Sequence, residues 1–411
     1  MTHPFEELDT IAPETHAGDP WAFYDWLLEE RPLFFDKHNE NYTVSRYDDV
    51  TYISRHHDLF ITEQGVRPQL PGDPTMINQD GKQHTMQRRL VQEGFTPKHI
   101  ADIEPYVRLL ITELVDEIVE KGECDAVEDL AAALPMRLIG EMLGHPRKDH
   151  EDLQKWTDVF VTGGNGPEYV TEAVDEAFDA FSDYHLEAVE NRKENPARDL
   201  LSIWMGAEIN GEKLDEDQLL FEHTLLLVGG SETTRNAMSG GLEALIRHPD
   251  QLNALLTDQS LVPNAVEEII RWTVPFVNMA RSNVEDVELH GQVIPAGSEI
   301  VMLYPAACRD PRHFADPYKF DIKREFKVPN IAFGVGKHVC LGASLARLEI
   351  KIFLEEVLPR LKGVSLATDE RPKIEPSSFI RGFKSLPVKF EPGKKSDRYT
   401  DEASKPKCPF H

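Results

Sequence analysis

Cysteine is scarce in this chain. Four occur in 411 residues, Cys124, Cys308, Cys340 and Cys408, far apart and without a CxxC pair, which argues against a disulfide framework, a cysteine-based zinc site and an iron–sulfur cluster. Any chemistry on sulfur must use one thiol alone. Basic residues are also in deficit: 44 Lys and Arg face 72 Asp and Glu, a net charge of −28, and such a field repels polyphosphates and anionic lipid headgroups. Nucleic-acid binding is a poor fit. No apolar run approaches the roughly 18 residues of a membrane span. Residues 1–16 lack the basic start, apolar centre and small-residue cleavage site of a secretion signal, so a cytoplasmic protein is expected. Internal repeats and low-complexity linkers are absent as well. What is present is an ordinary globular composition, 40% apolar, enough for a sizeable core.

The order of elements follows from periodicity and punctuation. Asp19-Pro20 marks a first helix that ends near Pro32, and Leu33 to Phe35 with Tyr42 to Ser45 reads as a strand pair joined by a turn. From Gly65 to Gly81, four prolines and glycines interrupt any period, which predicts a long loop of the kind that more often carries function. Beyond Phe95 the period is helical for nearly two hundred residues, broken at 163–167 and at Asn195-Pro196. Val287 to Leu303 suggests another hairpin and Ser385 to Phe390 a last strand. The expected class is mainly α with small β-sheets: a single domain over 1–392, with a β-rich N-terminal part, and a polar, flexible tail over 393–411.

Three constellations carry chemistry. The first is a long apolar helix opening near Asp215, with Gln218 as a capping partner, and stopping before Pro249. Midway it reads Leu225-Leu226-Leu227-Val228-Gly229-Gly230-Ser231-Glu232-Thr233-Thr234. Each helix-interior glycine costs about 1 kcal/mol relative to Ala, so something must offset the pair. Either the helix opens locally, with Gly229 and Gly230 admitting a bulky ligand, Thr233 bonding backbone carbonyls and Glu232 handling protons, or another helix crosses closely and Glu232 is merely solvated. The second is Glu268 with Arg271, three apart on one helix face; exposed pairs of this kind are common and contribute only about 0.2–0.5 kcal/mol.

The third is the most specific: Phe333-Gly334-Val335-Gly336-Lys337-His338-Val339-Cys340-Leu341-Gly342. Its glycines leave the backbone free to lie flat against a ligand. Cys340 directly precedes a helix with the apolar stripe Leu341, Leu345, Leu348 and Ile352, where the helix dipole and free amides favour a thiolate, a good anionic metal ligand. A buried structural cysteine would need neither the glycines nor this placement. A redox or nucleophilic cysteine is the rival, but no partner cysteine or acid–base pair stands nearby.

In this order and at these separations the motifs resemble the cytochrome P450 family of haem-thiolate monooxygenases, over about Pro20 to Pro392. The resemblance implies haem b (iron protoporphyrin IX) with Cys340 as the axial ligand to iron and Phe333 and Gly334 beside the sulfur. His84, Arg88, Arg281 and His338 would hold the propionates, Gly229 would shape the groove over the haem, and Glu232 with Thr233 would deliver protons to dioxygen. It also implies that Arg324 joins Glu268 and Arg271 in a buried network. Two positions depart from the usual pattern: Gly229 replaces an alanine, and Cys308 replaces an asparagine before Arg309-Asp310.

No fused reductase fits in this length, so electrons are expected from a separate ferredoxin and ferredoxin reductase. Residues 81–100 and 321–351 each carry a local basic excess of three, and in this fold both flank the cysteine side of the haem, where an acidic ferredoxin would dock. The expected substrate is hydrophobic. Residues 229–235 and 271–281 are most similar to bacterial enzymes that hydroxylate the side-chain terminus of sterols, so a steroid-like lipid is expected, with fatty acids and terpenoids open. The candidate lining is the Gly65 to Met76 loop, the stretch around Phe160, the helix near Gly229, Val274 to Met279, and Phe379 to Phe383. A haem-based gas sensor would not need Glu232 and Thr233, and a peroxide-driven oxygenase would dispense with ferredoxin.

Overall fold

The longest helix begins where the sequence places its cap. Asp215 Oδ1 accepts the Gln218 amide at 2.8 Å and the Gln218 side chain accepts the Asp215 amide at 3.2 Å, a reciprocal pair that satisfies free amides at a helix start. The helix runs Glu216–Arg247 without a break, about 48 Å. It ends before Pro249, which opens the next helix.

The computed structural model describes every residue except Met1, Thr2, Asn210, Glu402, Ser404 and His411. Its helices are α1 (Trp21–Glu30), α2 (Tyr47–Arg55), α3 (Gly81–Val91), α4 (Pro97–Ile118), α5 (Ala133–Met142), α6 (His150–Gly163) and α7 (Glu172–Glu194). There follow α8 (Leu200–Gly206), α9 (the long helix), α10 (Pro249–Thr257), α11 (Val262–Thr273), the short α12 (Tyr304–Ala307) and α13 (Ala343–Val357). The fold is mainly α with small sheets, as the periodicity predicts.

Both predicted hairpins form. β1 (Leu33–Asp36) pairs antiparallel with β2 (Asn41–Val44), and the five-stranded sheet β1-β2-β10-β7-β3 is completed by β10 (Glu299–Leu303), β7 (Asn278–Asn283) and β3 (Phe60–Ile61). β10 runs parallel to β2 and antiparallel to β7. β8 (Val287–Leu289) and β9 (Gln292–Ile294) form a ribbon, as do β5 (Glu208–Ile209) and β6 (Glu212–Lys213). β11 (Ser365–Leu366), β12 (Pro387–Lys389) and β4 (Glu123–Asp125) form a three-stranded sheet.

The largest core lies among α4, α5, α9, α11 and α13, with Leu110, Leu134, Leu227, Leu242, Ile269 and Phe353 buried in it. A second core underlies the five-stranded sheet. The functional region lies between α9 and the loop that leads into α13.

One local boundary needs correction. α1 starts one residue later than the Asp19-Pro20 signal implies: Pro20 takes the cap position and Asp19 Oδ1 accepts the Trp21 amide at 3.4 Å. Described residues of the C-terminal segment contact the helical core. Asp116 on α4 accepts the Ser396 amide at 2.8 Å, Arg398 pairs with Glu356 of α13 at 2.9 Å, and Phe410 is buried beside His99. One aromatic ring and two acidic partners distant in sequence hold these residues; Glu402, Ser404 and His411 lie outside the described residues.

Candidate active site

Gly336 sets the path of the loop before α13. Its φ is +79°, and a Cβ there would lie 2.4 Å from the Ser54 carbonyl oxygen of α2, so only glycine allows so close a backbone approach. Gly334 also has positive φ, +69°, and its amide donates to Ile331 O at 2.8 Å. The Cys340 amide then returns to Phe333 O at 2.8 Å. These turns bring Cys340 to the floor of a pocket whose other wall is α9.

Phe333 lines that pocket beside Cys340, its ring under the Arg347 guanidinium at 4.6 Å. Cys340 is exposed to the pocket; the protein packed around it raises the thiol pKa, opposed by hydrogen bonds from the Gly342 and Ala343 amides and by the charges of Arg88 and Arg347. A coordinated cation would favour the thiolate, since a metal-bound thiol is deprotonated.

The same pocket collects His84 and Arg88 from α3, Arg281 from β7, and His338 and Gly334 from the loop. Arg88 and Arg281 make this rim cationic, with too little anion beside them. Arg281 is 6% exposed, and its guanidinium donates to the neighbouring Ala280 carbonyl at 2.7 Å without a carboxylate partner. Arg88 donates to Val339 O at 2.7 Å. His84 has a buried Nδ1 without a partner, and its ring lies 4.2 Å from that of His338. His338 in turn reaches Asp80 at 3.7 Å. Burial lowers the Arg88, Arg281 and His338 pKa values and takes His84 down to about 4, to which His338 and Arg88 add.

Unpaired cations in a partly dry wall are costly unless an anion meets them. Two propionates would supply that anion, Cys340 the sulfur, and the apolar walls the surroundings of a flat macrocycle, so these residues fit haem b.

Beneath the loop, the weak sequence pair becomes a buried network. Glu268 and Arg271 are 0% exposed. Arg271 Nε and Nη2 donate to the two Glu268 oxygens at 2.7 and 2.8 Å, and Arg324 Nε reaches Glu268 Oε2 at 3.0 Å. Arg271 Nη1 also donates to Pro317 O at 3.0 Å and to Cys308 O at 3.2 Å. The network ties α11 to the segment before the loop.

On α9 the two glycines have different reasons. A Cβ on Gly230 would lie 2.7 Å from Ile139 of α5, so Gly230 permits a close helix crossing, whereas nothing lies within 4 Å of the Gly229 position. Gly229 opens to the pocket. The helix itself does not break, because Thr233 Oγ1 donates to Gly229 O at 3.1 Å within a continuous turn.

Thr233 lines the pocket but Glu232 does not. Glu232 is 4% exposed; its Oε1 accepts from Gln154 at 2.6 Å and from Thr157 at 3.3 Å, and its Oε2 meets Arg235, which pairs onward with Asp158 at 2.6 Å. Burial pushes its carboxyl above the ordinary range, with Arg235 opposing. Asp158, Gln154 and Arg235 in turn line an outer, charged cleft between α4, α5, α6 and the C-terminal segment. Glu232 thus stands in the wall between cleft and pocket.

The lining predicted from sequence holds for Val66 and Met76, for the Gly229 region, and for Pro275, Phe276 and Met279. Phe160 packs instead on Phe178 and Phe181, and Phe379 lies under Arg67, 4.2 Å from its guanidinium. Those rings serve the packing of α6 and α7 and of the C-terminal turn. Among the lining residues that escaped the sequence reading are Tyr304 and Glu349 of α13, whose buried carboxyl has one unpartnered oxygen and is pushed well above its usual pKa by burial. Neither belongs to a local pattern. Among the described residues no cluster of three His, Cys, Asp or Glu is arranged for a metal ion, and no helix is long and apolar enough to cross a membrane.

Comparison with known proteins agrees with this geometry. A cytochrome P450 family model matches residues 22–391. A steroid C26-monooxygenase of Mycolicibacterium smegmatis is 39% identical over 397 residues, covering 95% of this chain and 98% of its own length. A methyl-branched lipid omega-hydroxylase of Mycobacterium tuberculosis is 38% identical over 377 residues, 88% of this chain and 87% of that protein. Among solved structures, CYP109E1 of Bacillus megaterium in complex with testosterone superposes with a TM-score of 0.84 at 30% identity, covering 91% of this chain and 98% of that one.

Proposed function

The chain belongs to the cytochrome P450 family and is a haem b monooxygenase, and from that premise we propose that it hydroxylates the side-chain terminus of a steroid-like lipid. The observation that carries the reading is the 39% identity to a steroid C26-monooxygenase along 95% of the chain, joined to a pocket wall that is apolar away from its cationic rim, with Leu225, Leu226, Phe276 and Met279 facing inward. Such a wall binds by excluding water and offers little to a polar substrate.

When bound, haem b supplies the iron that activates dioxygen. One oxygen atom enters the C–H bond as hydroxyl, and the other leaves as water with two protons and two electrons. Cys340 is the residue to hold the iron; His84, Arg88, His338 and Arg281 hold the propionates. Thr233 presents its hydroxyl to the pocket from α9, and Glu232 behind it stores the proton, held at the edge of the charged outer cleft by its pairing with Arg235, which also meets Asp158.

The electrons come from a ferredoxin and its reductase. Lys82, Arg89, Lys98 and Lys337 are exposed, in the two segments expected to flank the cysteine side, and suit an acidic partner. Arg347 and Lys351, counted with them from sequence, are engaged by Glu267 and Glu104.

Titrating the ferric protein with cholest-4-en-3-one, with 15-methylhexadecanoic acid and with palmitic acid tests the substrate. The steroid is expected to give the largest low- to high-spin change at the lowest concentration. A spin change with the branched acid alone would replace the steroid by a methyl-branched lipid, in line with the 38% relative.

A further inference from the structure

Glu222 lies two turns from Gly229 toward the start of α9, on the same side as Leu225, Leu226, Gly229 and Thr233, which line the pocket. It is 2% exposed. Its Oε1 accepts the backbone amide of Met76 at 2.6 Å, while its Oε2 is buried without a partner. Met76 and Ile77 are pocket-lining residues. They belong to the irregular segment between β3 and α3, which is held internally by Asn78 Oδ1 accepting the Val66 amide at 2.9 Å, and to α3 by Gln87 donating to Pro74 O at 3.0 Å. The Glu222 carboxyl is the bond that joins this segment to the central helix at Met76.

We infer that Glu222 is a positioning residue for substrate oxidation: its protonated carboxyl fastens Met76 and Ile77 into the pocket wall, and its ionised form releases them. The inference rests on the monooxygenase reading of this pocket but not on the identity of the lipid. A buried carboxylic acid with one unpartnered oxygen costs far less than a buried carboxylate in the same place. No cation faces it. Asp73 of the same segment is the charged group that acts on it, and it acts against ionisation; the adjacent His223 bonds instead to His145 and His185.

Burial accordingly raises the carboxyl from its ordinary 4.5 to about 8, with Asp73 adding to the rise and the Met76 amide opposing it. The closed arrangement therefore binds a proton that the open, solvated one has lost between these values. Closure is strongest in acid, weakens as pH rises through the window from 4.5 to about 8, and weakens no further above it, where both forms are ionised.

Hydrogen exchange of the amides in residues 66–80 of the haem-loaded enzyme, corrected for the intrinsic pH dependence of exchange, tests this at pH 6 and pH 8 in the wild type, Glu222→Gln and Glu222→Leu. Wild-type protection is expected to fall roughly 10- to 50-fold between the two pH values. Glu222→Gln keeps an acceptor for Met76 and cannot ionise, so its protection should be high and the same at both. Glu222→Leu should be poorly protected at both, with 4-phenylimidazole entering the pocket faster. Wild type and Glu222→Gln giving one pH-independent profile would overturn the inference, and so would Glu222→Leu matching them. A steroid that fails to bind while the exchange pattern holds would sink the substrate reading and leave this one standing.

Discussion

Arg271→Leu and Arg271→Lys are expected to lose most of the stability of the fold. In the wild type, both Glu268 oxygens are met by the Arg271 fork and one also by Arg324, all away from water. Leucine leaves the Glu268 carboxylate with half its partners, and removing one member of a buried ion pair costs about 3–5 kcal/mol. Lysine keeps the charge but offers a point where the site requires a planar fork with three further backbone acceptors, so it should recover little. Against a total of about 5–15 kcal/mol for a typical domain, either change leaves the protein marginal. Urea midpoints and haem content per chain are the readouts. A lysine variant with the wild-type midpoint would show that charge rather than geometry holds α11 to the segment before the haem loop.

Glu232→Gln should cut turnover by roughly 100-fold, the low end of what a positioned proton donor contributes, while leaving substrate binding alone. The split follows from where the side chain sits: Thr233 lines the pocket and Glu232 is behind it, bonded to Gln154, Thr157 and Arg235. Glutamine preserves the volume and an acceptor for Gln154, and removes the transferable proton. The spin change on steroid binding should keep its midpoint and amplitude, and the solvent deuterium isotope effect on turnover should grow. Unchanged turnover with a normal isotope effect would remove Glu232 from proton delivery and leave it as the link between α9 and α6.

These two residues also mark where sequence is legible. The haem loop can be read because its chemistry is local: glycines at fixed offsets, a cysteine and a helix start lie within ten residues, and Gly336 proves indispensable through its contact with Ser54. The cap of α9 is local too, and it forms as read. Glu268 and Arg271 are ambiguous from sequence because an i, i+3 pair looks the same on a wet helix face as in a dry core; burial by α12 and the 314–324 segment decides it. Gly229 and Gly230 look equivalent in sequence and both line the pocket, yet a Cβ would meet Ile139 at Gly230 and open space at Gly229.

Glu222, Tyr304 and Glu349 were invisible because an unpartnered buried carboxyl or a pocket-lining ring is defined by neighbours far along the chain. The contacts of the C-terminal segment were missed for the same reason, since Phe410 needs the groove beside His99 before its burial makes sense. Cys340 lies between these cases: its position was legible, but the balance between burial and helix-terminus stabilisation of its sulfur depends on how tightly the loop is packed.

The account depends on Cys340 being the sulfur that holds the haem iron. The difference spectrum of the reduced protein with carbon monoxide reads that bond directly, because a thiolate ligand shifts the Soret band far to the red of a histidine- or water-ligated haem. The wild type should show the red-shifted band, and Cys340→Ser should show none of it while retaining haem through its propionate contacts. A red-shifted band that survives in Cys340→Ser, or is missing from the wild type loaded with haem, would contradict the assignment.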